Sequence, residues 1–322
     1  MLGAADIAVK KVIPAMRRSE RSQVVAIASR DRAKAEAAAG ALGIPRSYGS
    51  YEELIDDPDV EAIYNPLPNH LHVPWSIRAA EAGKHVLCEK PIALSAAEAR
   101  ELLAVRDRTG VQIGEAFMVR THPQWLAVKQ LVDDGRIGEL RLVLGHFSYF
   151  RRDPTDIRSR REWGGGALLD IGCYPITLSR WLFGAEPISV VGQVDRDPDF
   201  DVDRLSSGLL RFPTGQASFT CGGQLVSYQR MQIFGTAARI EVEIPFNAPP
   251  DRACRVFIDD GSSLAETIEF PVADQYTIQA DCFSDAVRGV GPVPVSLEDA
   301  VANMEVLDKL FRSAETGRWE VI

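Results

Sequence analysis

Cysteine is scarce in this chain. There are five in 322 residues, Cys88, Cys173, Cys221, Cys254 and Cys282, odd in number and never spaced C-x-x-C. That pattern argues against a disulfide framework or a cysteine-built zinc site and fits free thiols in a reducing compartment. Long apolar runs are also missing: none approaches the roughly 20 residues that span a bilayer. No basic-plus-apolar leader opens the chain, so the expectation is a cytoplasmic protein with no membrane partner. Positive charge is in deficit, 36 Lys and Arg against 45 Asp and Glu, a net charge of −9. That disfavours nucleic acid as a partner. What remains, 46% hydrophobic and 25% charged, is the composition of a soluble globular protein of one large or two medium domains.

The charge is uneven. Up to Met118 there are 15 basic and 16 acidic residues, and beyond it 21 and 29. The texture changes at the same place. In the first part, short apolar strands at Val24–Ala28, Ala62–Tyr64, His85–Cys88 and from Val111 alternate with helices at Asp6–Met16, Arg32–Leu42, Val73–Ala82 and Ala96–Arg108. Gly43 and Gly83 close two of these helices, and Ser95 with Glu98 forms a capping box for a third. This alternation predicts α/β architecture with a parallel, doubly wound sheet over residues 1–117. Over residues 118–322, long strand-like runs (Leu140–Phe150, Ile188–Asp195, Leu205–Phe212, Ala217–Cys221, Met231–Phe234, Arg239–Val242) follow a helix near Gln124–Asp133. Helical patterns return at Ile278–Arg288 and Leu297–Thr316. An α+β domain with a large, mostly antiparallel open sheet is the economical reading.

Gly3-Ala4-Ala5-Asp6-Ile7-Ala8 has the spacing of the dinucleotide fingerprint G-x-G-x-x-G, with alanine replacing its second and third glycines. Gly3, Ala5, Asp6 and Ile7 are therefore candidate cofactor residues. Only Met1 and Leu2 stand before Gly3, so the first strand is expected as a stub or a truncated start. The acidic residue that would hold a ribose 2′-hydroxyl is missing after Val24–Ala28. Ser29 and Arg30 stand there instead and suit a 2′-phosphate, which points to NADP over NAD. Asp31 reads as a helix cap.

Cys88-Glu89-Lys90-Pro91 and the run from Gly164 to Pro175 (G-G-G-x-x-x-D-x-G-x-Y) resemble the glucose–fructose oxidoreductase, inositol dehydrogenase and rhizopine-catabolism (Gfo/Idh/MocA) family. The segments Tyr64–His72 and Glu115–Gln124 are similar to its branch of dimeric dihydrodiol dehydrogenases and NADP-dependent D-xylose 1-dehydrogenases. Asp170 and Tyr174 are four apart and share a helix face. The resemblance implies that Tyr174 transfers the proton, that Lys90 reaches it from the other domain and supports its phenolate, and that Asp170 accepts from a substrate hydroxyl. It implies that Pro66, Leu67, Asn69 and His72 border the nicotinamide, that Glu89 accepts from a ribose hydroxyl or pairs with a basic residue, and that Trp163 lies near the cofactor or packs between domains. Arg120 and His122 line the substrate pocket or pack between domains. Asp170 could instead cap its helix, and Tyr174 could be a core aromatic. His70 and His72 lack the companions of a metal site, so no metal is expected.

The implied activity is NADP(H)-dependent oxidation of a sugar CH–OH, with a D-xylose-type aldose 1-dehydrogenase giving a lactone as the leading reading. The alternatives are a trans-dihydrodiol dehydrogenase, another cyclic-polyol or keto-sugar reductase, and a non-catalytic NADP-binding regulator. A homo-oligomer, dimer or tetramer, through the C-terminal sheet is expected.

Overall fold

A computed structural model describes residues 1–262 and 265–322. In the first part, β1 (Ala26–Ala28) pairs in parallel with β2 (Arg46–Tyr48), while β3 (Ala62–Asn65), β4 (His85–Glu89) and β5 (Ile113–Ala116) pair in parallel in that order. Residues 1–3 join the two sets. The Met1 amino group donates to Ala26 O, Ala28 N to Met1 O, Gly3 N to Ala28 O and Leu2 N to Tyr64 O, at 2.8–3.0 Å. The stub therefore takes the place of a central strand. Counting it, the order is that of a six-stranded dinucleotide fold, with the switch in winding direction between residues 1–3 and β3.

Of the helices α1 (residues 6–16), α2 (Arg32–Leu42), α3 (Tyr51–Ile55), α4 (His72–Glu81) and α5 (Ala96–Thr109), three start at a capping side chain among the described residues, α2, α3 and α5. Asp31 caps α2 by accepting Lys34 N at 3.2 Å, and Ser95 caps α5 by accepting Glu98 N at 3.3 Å. Each satisfies a backbone donor that the helix leaves over.

The chain divides into two compact units, Met1–Thr121 with Asp274–Val301, and His122–Ala273 with Ala302–Ile322. By contact, residues 274–301 group with the first unit, although in sequence they follow the second. Contacts of long sequence separation hold them there. Thr277 Oγ1 donates to Ala15 O at 2.9 Å, Glu115 N donates to Val295 O at 3.3 Å, and Arg18, Ser19 and Arg21 bond Asp274, Asp281 and Asp285.

The second unit is built on one nine-stranded sheet. Its order is β13 (Glu266–Phe270), β12 (Cys254–Asp259), β11 (Arg239–Val242), β10 (Gln224–Gly235), β6 (Leu140–Phe150), β9 (Gln216–Gly222), β8 (Asp203–Arg211), β7 (Ser189–Arg196), β14 (Glu320–Val321). β6 and β9 run parallel and the other neighbours antiparallel. Register decides the two faces, since paired residues point the same way. One row runs Val256, Val242, Met231, Gly145, Phe219, Gly208, Gly192. Its large side chains are buried, and helices cover it. α6 (Pro123–Asp133) and α7 (Cys173–Phe183) belong to this unit, and a Cβ on Gly145 would lie 2.6 Å from Pro175 of α7. The adjacent row, Glu241, Gln232, Leu144, Ser218, Leu209, Val191, is mixed in polarity and lines a concavity of 1010 Å³. The expected large, mostly antiparallel open sheet is what forms. No helix among the described residues is long and apolar enough to cross a membrane.

Candidate active site

In the first unit, the candidate cofactor residues gather at the carboxyl ends of adjacent parallel strands, where α/β folds bind ligands. Gly3 ends the stub with φ +77°, and a Cβ there would lie 2.8 Å from Leu67 Cδ2 and 3.7 Å from the Tyr51 hydroxyl. Glycine is therefore needed twice over, for the left-handed turn and for the close approach. Ala5, Asp6 and Ile7 lead into α1, and exposed Asp6 pairs with Lys10 at 2.7 Å. Ser29 and Arg30 follow β1. Ser29 Oγ accepts Asp31 N at 3.2 Å, while exposed Arg30 stands beside the Tyr51 hydroxyl. Burial raises the Tyr51 pKa and the guanidinium pulls it partly back. Tyr51, with Trp75 edge-on at 4.9 Å, is a wall of this cradle that sequence reasoning missed. A cradle closed by a glycine, with a helix start and a solvent-facing arginine, fits a phosphorylated dinucleotide.

The loop after β3 carries Pro66, Leu67 and Asn69, and His72 opens α4. The loop's shape depends on Asn65, which is fully buried. Asn65 Nδ2 donates to His72 O at 3.1 Å and to Ser76 Oγ at 3.2 Å, and its Oδ1 accepts Leu67 N at 3.3 Å. His72, expected along the nicotinamide, is buried at 1% exposure with its ring nitrogens 2.7 Å from the Pro91 and Leu67 carbonyls. Burial pulls its pKa down to about 4. Its ring ties the loop to the segment after Lys90. Glu89 ends β4 and Lys90 follows it. Glu89 accepts from the Tyr64 hydroxyl of β3; burial and that carboxylate push the tyrosine pKa well up. Arg120 pairs with Asp299 at 2.7 Å in the same unit.

In the second unit, a helix covers residues 167–183 with a π turn over Leu168–Gly172, and it carries both Asp170 and Tyr174. The cap is not Asp170. Asp203, from β8, accepts Leu168 N at 2.6 Å and Ser206 Oγ at 2.9 Å. Asp170 is left to side chains: the Tyr149 hydroxyl donates to its Oδ2 at 2.6 Å and Arg158 Nε to the same oxygen at 2.7 Å. Neither Tyr149, Arg158 nor Asp203 carried a local signal. Tyr174 is buried against Phe147 and Phe246, with ring centroids 5.7 and 5.5 Å away. His122 is buried and caps α6, its Nδ1 accepting Gln124 N at 3.3 Å; burial lowers its pKa to about 4. Trp163 lies under the Arg160 guanidinium at 4.8 Å.

Residues 1–117 match the model of the oxidoreductase family with an NAD-binding Rossmann fold, and residues 125–241 match the GFO/IDH/MocA C-terminal domain. The uncharacterized oxidoreductase ORF334 of Rhizobium meliloti is 50% identical over 327 residues, covering 100% of this chain and 98% of that protein. D-xylose 1-dehydrogenase (NADP(+)) 2 of Haloferax volcanii is 39% identical over 325 residues, 98% of this chain and 97% of that one. Among solved structures, a 3-ketoreductase from Actinomadura kijaniata in complex with NADP and TDP-benzene superposes with a TM-score of 0.91 at 32% identity, covering 97% and 96% of the two chains. With both halves matched by their family models and full-length relatives at this identity, the chain belongs to the GFO/IDH/MocA family of oxidoreductases.

Proposed function

We propose that this protein is an NADP-dependent dehydrogenase of an uncharged cyclic sugar, an aldose 1-dehydrogenase of the D-xylose type, which converts the C1 carbinol to a lactone. The observation that carries the reading is the pairing of Asp170 and Tyr174 on one helix, with the carboxylate held by two donors. In this reading the dinucleotide supplies the hydride acceptor. Tyr174 takes the hydroxyl proton. The Lys90 ammonium favours the phenolate over the phenol, whose ordinary pKa near ~10 makes a poor base at neutral pH. Asp170 accepts from a substrate hydroxyl. On the cofactor side, Gly3, Ala5, Asp6 and Ile7 hold the pyrophosphate at the start of α1. Ser29 and Arg30 take the 2′-phosphate, Pro66, Leu67 and Asn69 border the nicotinamide, Glu89 takes a ribose hydroxyl, and Trp163 lies by the cofactor.

A neutral sugar is favoured over a nucleotide sugar by the arginine-rich segment before the glycines. Arg151, Arg152, Arg158 and Arg161 bond Asp156, Asp197 with Asp199, Asp170 and Asp201. Their charges are balanced within the unit instead of being held for a diphosphate. On the open sheet face, exposed Leu209 and Tyr228 support pairing of two copies there; light scattering of the purified protein tests it, and a monomer overturns it.

The test of function is cofactor reduction with aldoses, polyols and dihydrodiols, each with NADP and with NAD. NADP reduction on D-xylose or a related aldose is expected. Tight NADP binding without turnover on any carbinol would replace the reading with that of a regulator.

A further inference from the structure

The three glycines before Asp170 do more than open a helix. Gly164 N, Gly165 N and Gly166 N donate to the carbonyls of Arg161, Arg160 and Arg158 at 2.9–3.1 Å. A Cβ on Gly165 would lie 2.5 Å from Arg158 O and 2.8 Å from Arg160 O. Those atoms are backbone and cannot swing aside, so the 158–160 turn is seated directly on the glycines. Seated there, Arg158 Nε reaches Asp170 Oδ2 at 2.7 Å. Asp156 steadies the turn by accepting Arg158 N at 2.9 Å. From β6, Tyr149 brings its hydroxyl to the same carboxylate oxygen, and the Arg158 guanidinium lies 6.0 Å from the Tyr149 ring centroid.

From this geometry we infer that Arg158 and Tyr149 are positioning residues, a two-donor clamp seated by the glycine run that keeps the Asp170 carboxylate ionised and aimed. The inference rests on the reading of Asp170 as the substrate-hydroxyl acceptor and adds what holds it in that state. A fixed arginine beside a carboxylate favours its charged form, and an ionised carboxylate only accepts. Asp170 therefore cannot share the proton work assigned to Tyr174. The same pairing raises the Arg158 pKa, with Asp170 as the largest cause, and burial together with Asp170 raises that of Tyr149. Further titratable or charged groups on packed elements include Asp156 on the turn, Cys221 on β9, Cys173 and Tyr174 on the same helix and Asp203 at the helix cap.

The test reads the Asp170 carboxyl directly by ¹³C NMR against pH, with Asp170→Asn assigning its signal. In Arg158→Gln the titration midpoint should rise by about one to three pH units. Arg158→Lys should restore part of the shift, and Gly165→Ala, which displaces the turn while keeping the arginine, should reproduce the Gln result. Tyr149→Phe should raise the midpoint less. With the best aldose of the screen, the acid limb of kcat/KM should move by the same interval in Arg158→Gln. A midpoint unchanged in Arg158→Gln and in Tyr149→Phe, both folded by circular dichroism, overturns the clamp. If instead Asp170→Asn turns over normally, the acceptor role fails while the NMR midpoints still decide the clamp.

Discussion

Gly166 and Asp203 fit together with no room for one more carbon: a Cβ on Gly166 would lie 1.9 Å from Asp203 Oδ1, and Gly166 has φ +113°. The contact lets a carboxylate from β8 cap the helix that bears Asp170 and Tyr174. Gly166→Ala should therefore cost at least about 2 kcal/mol from strain and lost capping together. Denaturant melts check this, and an unchanged midpoint would refute the fit.

Asp203 makes stability depend on pH in a direction unusual for a carboxylate. Burial raises its pKa from 3.8 to about 6, so the folded state holds a proton that the unfolded state releases. The sign follows: the contribution is complete below about pH 4 and is lost as pH rises through about 6. At ~1.4 kcal/mol per unit, the loss is on the order of 3 kcal/mol. Asp203→Asn keeps an acceptor for Leu168 N but does not titrate. Urea unfolding from pH 4 to 7 should show the wild type losing stability relative to the variant, and parallel curves would sink the assignment.

Arg30→Ala should weaken NADP far more than NAD, since NADP alone carries the 2′-phosphate. A charge-assisted contact of about 1.5–3 kcal/mol corresponds to roughly ten- to hundredfold in affinity. Fluorescence titration with both cofactors is the check; equal losses would remove Arg30 from the phosphate site.

Lys90→Met removes the ammonium and keeps the stem. Tyr174→Phe removes the proton acceptor and keeps the ring beside Phe147 and Phe246. Each should lower kcat by about 10²-fold or more with NADP binding retained, and Tyr174→Phe should erase the rise of kcat/KM with pH that ionisation of the tyrosine produces. If the two act as a unit, the double variant is little worse than either single one. Independent, multiplying losses would separate their roles.

Much of the framework is legible locally. The helix Arg32–Leu42, its Asp31 cap and its Gly43 stop depend on side chains within one turn of each end. So do α5 and its Ser95 cap, and β6 and β11 match their apolar patterns end to end. Other strands are extended beyond their apolar pattern or missed: β10 runs seven residues ahead of Met231, β12 is passed over although its burial alternates, and β13 and β14 show no clear alternation and are held by neighbours in the sheet.

Motif residues were likewise visible one by one, because Gly3, Lys90, Asp170 and Tyr174 stand in short patterns. Their partners were not. Asp203 meets Leu168 across 35 residues, Tyr149 meets Asp170 across 21, and Tyr64 meets Glu89 across 25. Residues 274–301 group with the first unit through ion pairs more than 250 residues apart in sequence. By itself, the sequence determined periodicity, caps, turn glycines and the identity of the chemically competent side chains, since these depend on neighbours within a few bonds. Which donors hold Asp170, which carboxylate caps its helix, and how a three-residue stub completes a sheet were decided only in the tertiary structure. A hydrogen bond is satisfied by whatever group the fold brings within about 3 Å, and sequence distance places no limit on that.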